Sequence, residues 1–341
     1  MPKATIFDVA SLAGVSIKTV SRVVNHEPNV RASTKEKVDQ AIAKLKYRPD
    51  QSARNLASRH SHLIGLVYDD PSAYELPSSG YIVSMQQGAL KACRSSLYEL
   101  LIHPCNYRDK DVGTHLKTLI EETRPAGVIL AAPLSNMPKI IRAIAATGTP
   151  FVRLSPGTKS DKELTIATND REISAEMTRY LASQGHKRIA FVTGHTSHKA
   201  VGNRFLGYKD GLEQSDLTFS ESLVAAGDNS FGSGETAALE LLTREDRPTA
   251  IFAANDDMAA AVVRVAAKLG IDVPGQLSVA GCDDISLARQ MSPTLTTIRQ
   301  PISTMAEQAA LALIKKDTSI FSTEVIPATL QIRESTGPVP E

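Results

Sequence analysis

Across 341 residues the chain carries 38 Lys and Arg against 37 Asp and Glu, a formal charge of +1, and 42% of its residues are hydrophobic. That composition excludes long disorder and collagen-like repeats, and no apolar run approaches the ~18 residues of a membrane-spanning helix. The length predicts two or three domains with ample core; without Trp, those cores must be built chiefly from Ala, Leu, Ile and Val. The opening MPKATIFDVA has no apolar leader, and Cys93, Cys105 and Cys282 form no disulfide pattern, so the expected compartment is the cytoplasm.

The near-neutral total conceals a division. Residues 1–62 hold eleven basic and five acidic side chains, a net +6, whereas the remaining 27 basic and 32 acidic residues give −5. A basic head on a mildly acidic body is the footprint of a nucleic-acid-binding module. In the head, Thr5-Ile6-Phe7-Asp8 reads as a capping box, followed by Val9, Ala10 and Ala13 on one helical face. Gly14 supplies a sharp turn, and Ser16 caps a second helix with Val20, Val23 and Val24 inward. Helix, glycine turn, helix is a helix-turn-helix pattern, whose second helix enters the major groove. A third helix is predicted from a capping box at Ser33–Glu36, burying Val38, Ala41, Ile42 and Leu45.

The exposed start of the second helix offers Ile17, Lys18 and Arg22 to base edges. Lys18 or Arg22 can donate to guanine, and Ile17 can touch a thymine methyl. Ser16, Thr19, Ser21, Asn25 and Tyr47, with Thr5 at the first helix, are candidates for phosphate contacts. The run from TIFDVASLAGVS through YRPDQSARNLAS resembles the DNA-binding head of the lactose-repressor (LacI/GalR) family. That resemblance implies a hinge helix after Pro49 in which Ala53, Arg54, Leu56 and Ala57 match the family motif, Leu56 being the wedge in the minor groove. An apolar wedge that unstacks a base step and kinks the duplex is physically sound.

From Leu63 onward, apolar runs alternate with amphipathic helices. Strands are predicted at 63–68, 98–103, 127–132, 151–154, 164–168, 188–193, 223–227, 250–254 and 277–282, with helices such as 82–96, 136–147, 170–184, 199–214, 233–243, 255–268 and 302–316 between them. Alternation of this kind argues parallel sheets covered on both faces, and nine strands are most economically two doubly wound subdomains. The ligand then sits outside the carboxyl ends of the strands, in the cleft between lobes. Polar residues recur there: Asp69 and Asp70, Ser155, Thr168, Asn169 and Asp170, Asn255 and Asp256, Asp283 and Asp284, with Arg204 in a following helix. Carboxylates, amides and an arginine suit a polyhydroxylated ligand, although each residue singly also reads as a helix cap.

The resemblance continues through Gly185-His186, NRFLGY, ANDDMA, GCDD and LTTIRQP. It implies a periplasmic-binding-protein-like effector domain in which Arg204, Asn255 and Asp283 hold a sugar and Gln300 borders the site. This chain departs by placing Asn229, not an aromatic, after Gly-Asp, with Phe231 two residues on; the stacking platform is missing or displaced. The loop after the first strand also departs, and Asp70, Tyr74 and Tyr81 are candidates for its rim.

The expected organisation is an all-α helix-turn-helix head (1–48), a hinge (49–62) and an α/β two-lobed body (63–341) with parallel sheets. The lobes are expected at 63–161 plus 294–322 and at 162–293 plus 323–341. GSGETA does not begin at its strand as a dinucleotide loop should. The acidic pairs read better as caps or sugar ligands than as glycosidase carboxylates, and His195 and His198 lack a third metal ligand. The expectation is therefore a non-enzymatic, dimeric transcriptional repressor of carbohydrate genes, binding palindromic operator DNA and released by a mono- or disaccharide, with no cofactor, metal or membrane partner. The alternatives are a regulator answering to a purine, nucleoside or other co-repressor, or a sugar receptor that binds no DNA.

Overall fold

In the computed structural model, residues 4–24, 30–47, 61–70, 79–158, 163–316 and 323–339 are described. Two compact units emerge, residues 1–61 and 62–341.

The head contains α1 (Ile6–Ala13), α2 (Ile17–Val24) and α3 (Ala32–Leu45). Thr5 and Asp8 form the reciprocal capping box, and Gly14 ends α1 at φ 64°, a left-handed conformation that glycine adopts at little cost. Val9, Ala10, Val20, Val23, Val38 and Ala41 are buried, with Ile42 and Leu45 packed against them. The start of α3 differs from expectation. The helix begins at Ala32 with Arg31 as an extended cap residue whose side chain makes no capping bond. Ser33 is thus inside the first turn, where it cannot cap it.

The body comprises two six-stranded sheets. The first runs β2 (Glu99–Cys105), β1 (Leu63–Asp69), β3 (Gly127–Ala131), β4 (Phe151–Leu154), β5 (Thr165–Ala167) and β11 (Thr323–Val325). The second runs β7 (Val224–Ala225), β6 (Ile189–Val192), β8 (Ala250–Ala253), β9 (Ser278–Cys282), β10 (Thr296–Arg299) and β12 (Thr329–Gln331). Every pairing is parallel except β10 with β12. Central strands β3, β6, β8 and β9 are buried throughout, as strands covered on both faces must be. The short strands β10, β11 and β12 lie outside the predicted set. Only three or four residues long, they carry little apolar signal of their own; two of them are sheet edges.

The covering helices are α4 (Gly80–Ser95), α5 (Val112–Thr123), α6 (Pro138–Ala145), α7 (Asp170–Ser183), α8 (Lys199–Glu213), α9 (Phe231–Leu242), α10 (Asp256–Lys268), α11 (Ser286–Gln290) and α12 (Ile302–Lys315). As expected, aliphatic side chains make up most of both cores, with Tyr68 added in the first lobe and Phe191, Tyr208 and Phe252 in the second. Strand membership moves the expected lobe boundaries. β5 and β11 pair in the first sheet and β10 in the second, so the chain crosses between lobes after Ala167, after Arg299 and after Val325. Hydrogen bonding, which a hydropathy pattern does not carry, decides which sheet a short strand joins.

Both sheets reverse winding direction beside their first strands: β1 lies between β2 and β3, and β6 between β7 and β8. Such switch points open a crevice at the strands' carboxyl ends. Among the described residues, no helix is long and apolar enough to cross a membrane.

Two glycines test the packing. A Cβ on Gly88 in α4 would stand 1.9 Å from the Ser303 carbonyl oxygen at the start of α12, whereas one on Gly202 in α8 meets nothing within 4 Å. Gly88→Ala should lower thermal stability by at least about 1–3 kcal/mol. Gly202→Ala should raise it by up to about 1 kcal/mol. Calorimetry of both variants checks the pair, and equal shifts would show that the α4–α12 approach is not tight.

Candidate DNA-reading face and effector cleft

On α2, burial of Val20 and Val23 turns Ile17, Lys18 and Arg22 to solvent, and Ile17 is 41% exposed. A large apolar side chain left in water at a helix start is what a base-reading position requires. Ser16 is exposed and accepts the Thr19 N–H at 3.2 Å, while the two hydroxyls share a 2.9 Å hydrogen bond. Both therefore shape the helix entrance, with Ser21 and Tyr47 half-buried nearby in sequence and fold. Thr5 is exposed, and its hydroxyl donates to Asp8 at 2.7 Å within the capping box. Asn25, Ala53, Arg54, Leu56, Ala57 and the rim candidate Tyr74 lie outside the described residues.

In the body, a cavity of about 450 Å³ lies between the lobes at both switch points. Asp70, Tyr81 and Ser155 line it from the first lobe, and Arg204, Asn229, Asn255 and Asp283 from the second. Seven of the ten expected residues thus converge. Its floor is a buried charge network. Arg204, 6% exposed, donates from Nε to Asp170 at 2.9 Å and from Nη1 to the Ala254 carbonyl at 2.6 Å. Its Nη1 also lies 3.8 Å from Asp283 Oδ1. Burial pushes the Asp283 carboxyl well above its ordinary range, against the pull of Arg204.

Asp283 is not a helix cap. It has φ 124° and Asp284 has φ 54°, conformations that cost a non-glycine residue on the order of 1–3 kcal/mol. The surroundings hold them there. Gln300 Nε2 donates to Asp283 at 2.5 Å. Asp284 receives Arg299 and Arg333 at 2.6 Å each and Arg289 at 3.4 Å. Asn255 is a cap and a lining residue together: Oδ1 accepts from Met258 N–H at 3.0 Å, while Nδ2 donates to the Asn229 carbonyl at 2.9 Å. Tyr81 donates to Ser155 at 3.4 Å, and burial raises its phenol to about 12, so it stays neutral.

Three expected residues lie outside the lining. Thr168 is buried in the crossover after β5, its hydroxyl bonded to Asn169. Gln300 is buried in the crossover after β10 and acts on the cleft through Asp283. Phe231 opens α9, with the Arg264 guanidinium 5.7 Å from its ring centroid. No aromatic platform therefore comes from that loop. The tyrosines in the wall, Tyr68, Tyr81 and Tyr107, all belong to the first lobe. Asn229 fills the platform's place at φ 73°, and its side chain occupies the space where a Cβ on Gly194 would stand, 2.0 Å from Oδ1.

Sequence reasoning missed Tyr107, Arg108, His195, His198 and Asp257 in this wall. The signal was the same strand-end rule. β2 runs to Cys105, two residues beyond the predicted end, which brings Asn106-Tyr107-Arg108 to the edge. The histidines follow β6, so the same rule reaches them. Among the described residues, no group of three His, Cys, Asp or Glu side chains could hold a metal ion. Asp256 is turned away from ligand chemistry, accepting from Thr297 at 2.5 Å and from the Ile285 N–H at 3.0 Å.

Burial lowers the His198 imidazole from 6.5 to about 4, with Arg204 and His195 acting the same way. The unfolded chain takes up this proton near its ordinary value. Stability from the neutral ring is complete above pH 6.5 and is lost as pH falls toward 4. His198→Gln should therefore flatten the loss of unfolding free energy between pH 7 and pH 5, by about 1–2 kcal/mol. Urea titrations of parent and variant at the two pH values check it; parallel losses would place the proton elsewhere.

Comparison with known proteins finds relatives for both the head and the body. The family of bacterial regulatory proteins, lacI family, matches residues 5–50, and a periplasmic binding protein-like domain matches residues 178–336. The HTH-type transcriptional regulator GalR of Escherichia coli (strain K12) is 35% identical over 340 residues, spanning 95% of this chain and 94% of the relative. Catabolite control protein A of Priestia megaterium is 31% identical over 338 residues, 97% of this chain and 99% of that protein. Among solved structures, the lac repressor dimer bound to operator and the anti-inducer ONPF is 27% identical with a TM-score of 0.81, covering 98% of this chain and 100% of that one. The complex of the transcriptional regulator CelR with cellobiose has a TM-score of 0.74 at 28% identity and the same coverage. The chain belongs to the lacI family of bacterial regulatory proteins.

Proposed function

We propose that this regulator binds a palindromic operator in double-stranded DNA as a homodimer and represses carbohydrate genes until a small sugar enters the cleft. The observation that carries the reading is the cleft floor. Arg204, Asn255 and Asp283 present a buried guanidinium, amide and carboxyl to one cavity, the donor and acceptor set that adjacent sugar hydroxyls require. About 450 Å³ accommodates a mono- or disaccharide. The related structures with operator and with cellobiose support the same pair of partners. Two-fold symmetry follows from recognition, since one reading helix covers one half-site. The protein acts in the cytoplasm as a switch without catalysis or cofactor. Sugar closes one lobe arrangement in preference to another, and that differential affinity is the whole of its leverage on DNA.

A thermal-shift screen of the full chain against mono- and disaccharides tests the effector, because a ligand of the native state raises the melting temperature. Arg204→Lys keeps the charge but loses the guanidinium fork, and should remove most of that shift while sparing operator binding. An unchanged shift would put the sugar elsewhere. Operator selected from a palindromic library should bind with an affinity that falls by roughly one log unit per log unit of salt for each phosphate neutralised. A flat dependence would contradict a basic reading head.

A further inference from the structure

Direct protein contacts cross the cleft at its outer edge. Tyr107 and Arg108 follow β2 in the first lobe, and His195 follows β6 in the second. The Tyr107 hydroxyl lies 2.5 Å from His195 Nε2, and the rings meet edge to face with centroids 5.2 Å apart. The main-chain N–H of Ser197 points at His195 Nδ1 at 3.1 Å, and Arg108 Nη2 lies 3.3 Å from Nε2. The tyrosine oxygen and Nε2 share one hydrogen bond across the cleft. Arg108 Nε donates to the same oxygen at 3.1 Å, with its guanidinium carbon 5.5 Å from the Tyr107 ring centroid.

One phenol oxygen thus meets a group from each lobe, the Arg108 guanidinium and the His195 ring. Tyr107 is itself anchored, because its main-chain N–H donates to Asp69 Oδ1 at 2.8 Å at the end of β1. Position separates this cluster from the floor. Arg108 is exposed and Tyr107 and His195 are half-buried, whereas Arg204, Asn255 and Asp283 are buried. A second inter-lobe contact supports the same arrangement: Asn203 Nδ2 donates to the Gly157 carbonyl at 3.1 Å. Gly157 sits so close to the start of α8 that a Cβ would stand 2.3 Å from the Ala200 nitrogen.

We propose that Tyr107, Arg108 and His195 form a clasp across the mouth of the cleft, holding the lobes closed by protein contacts alone and gating entry and release of the effector. The clasp goes beyond the sugar reading, since it closes the cleft whatever small molecule the floor selects. Its tyrosine oxygen is the shared element, within reach of Arg108 and His195 alike, so losing it removes the shortest bond across the mouth.

Inter-lobe distance reads the clasp directly. Spin labels at Lys117→Cys in α5 and Glu240→Cys in α9, both exposed positions, in a Cys105→Ser background, report opening by pulsed dipolar spectroscopy on the full chain without added ligand. With labelled chain diluted into unlabelled chain, so that distances within one protomer dominate, the parent should give one narrow distance distribution. Tyr107→Phe, which keeps the ring and loses the oxygen, should add a longer-distance population at least severalfold larger than in the parent. His195→Leu should do the same, and the double variant should open no further than His195→Leu alone, because that variant already loses the contacts of both Tyr107 and Arg108 with the ring. Distributions unchanged in both single variants, or additive opening in the double, would overturn the proposal. Circular-dichroism melts of each variant confirm that the lobes remain folded; where one variant fails to fold, the other decides.

Discussion

Arg204 sits between two carboxylates in a place that water scarcely reaches, and much of the body is arranged to make that tolerable. A buried charge costs several kcal/mol unless it is paired and its hydrogen bonds are filled. Asp170 takes the guanidinium on one side, Asp283 stands on the other, and the Ala254 carbonyl accepts a further N–H. These three partners come from the start of α7 and from the ends of β9 and β8. The ion network therefore fixes the relative positions of two strand ends and two helices at the switch point of the second sheet. Removing the arginine alone would leave two buried acids facing one another, which is why its conservative exchange is the informative one. The same desolvation that makes the network demanding makes it selective. A ligand reaching this floor must offer hydroxyls that replace lost water, and a molecule lacking them leaves polar groups unpaired.

The strained pair Asp283-Asp284 shows how that floor is aimed. Neither residue would choose its backbone conformation alone. Three arginines grip Asp284 from α11, from β10 and from the segment after β12, and this multiplicity over-determines the turn. Gln300 completes the arrangement from the crossover after β10. A residue on the connection between lobes thus holds a residue on the cleft floor. The Asn169 side chain accepts the Ala328 N–H at 2.8 Å and so ties two further crossovers together. Contacts at the floor and geometry at the lobe connections are consequently parts of one hydrogen-bonded system, the physical link through which a bound effector can favour one arrangement of the lobes.

Much of this was legible in sequence because it rests on local rules. The capping box at Thr5, the left-handed turn at Gly14 and the inward valines of α2 are all short-range patterns, and each stands where expected. Long apolar strands announce themselves, and residues just past them fall into the cleft by the geometry of parallel sheets. What was not legible depends on pairing and on length. Thr168 and Gln300 follow strand ends as faithfully as Ser155 does, yet they lie on the crossovers, since the hydrogen bonding of β5 and β10 sets which lobe each strand joins. Two extra residues of β2 were enough to hide Tyr107 and Arg108. No local pattern links either to His195, nearly ninety positions later, since their meeting depends on both sheets being complete.

The displaced aromatic platform follows from the same geometry. An aromatic at position 229 would need the volume beside Gly194 that the smaller Asn229 side chain now fills. With Asn229 in a left-handed conformation and its carbonyl held by Asn255, this loop presents main chain and amide to the cavity rather than a ring. The tyrosines that face the cavity come from the opposite lobe. The tyrosines of the wall thus come from the first lobe, and the buried network of Arg204, Asp170 and Asp283 from the second. Neither lobe alone offers a ligand both the tyrosines and that network. A ligand gains its full affinity only when the lobes are together, and differential affinity of that kind is what any effector-driven shift between conformations requires.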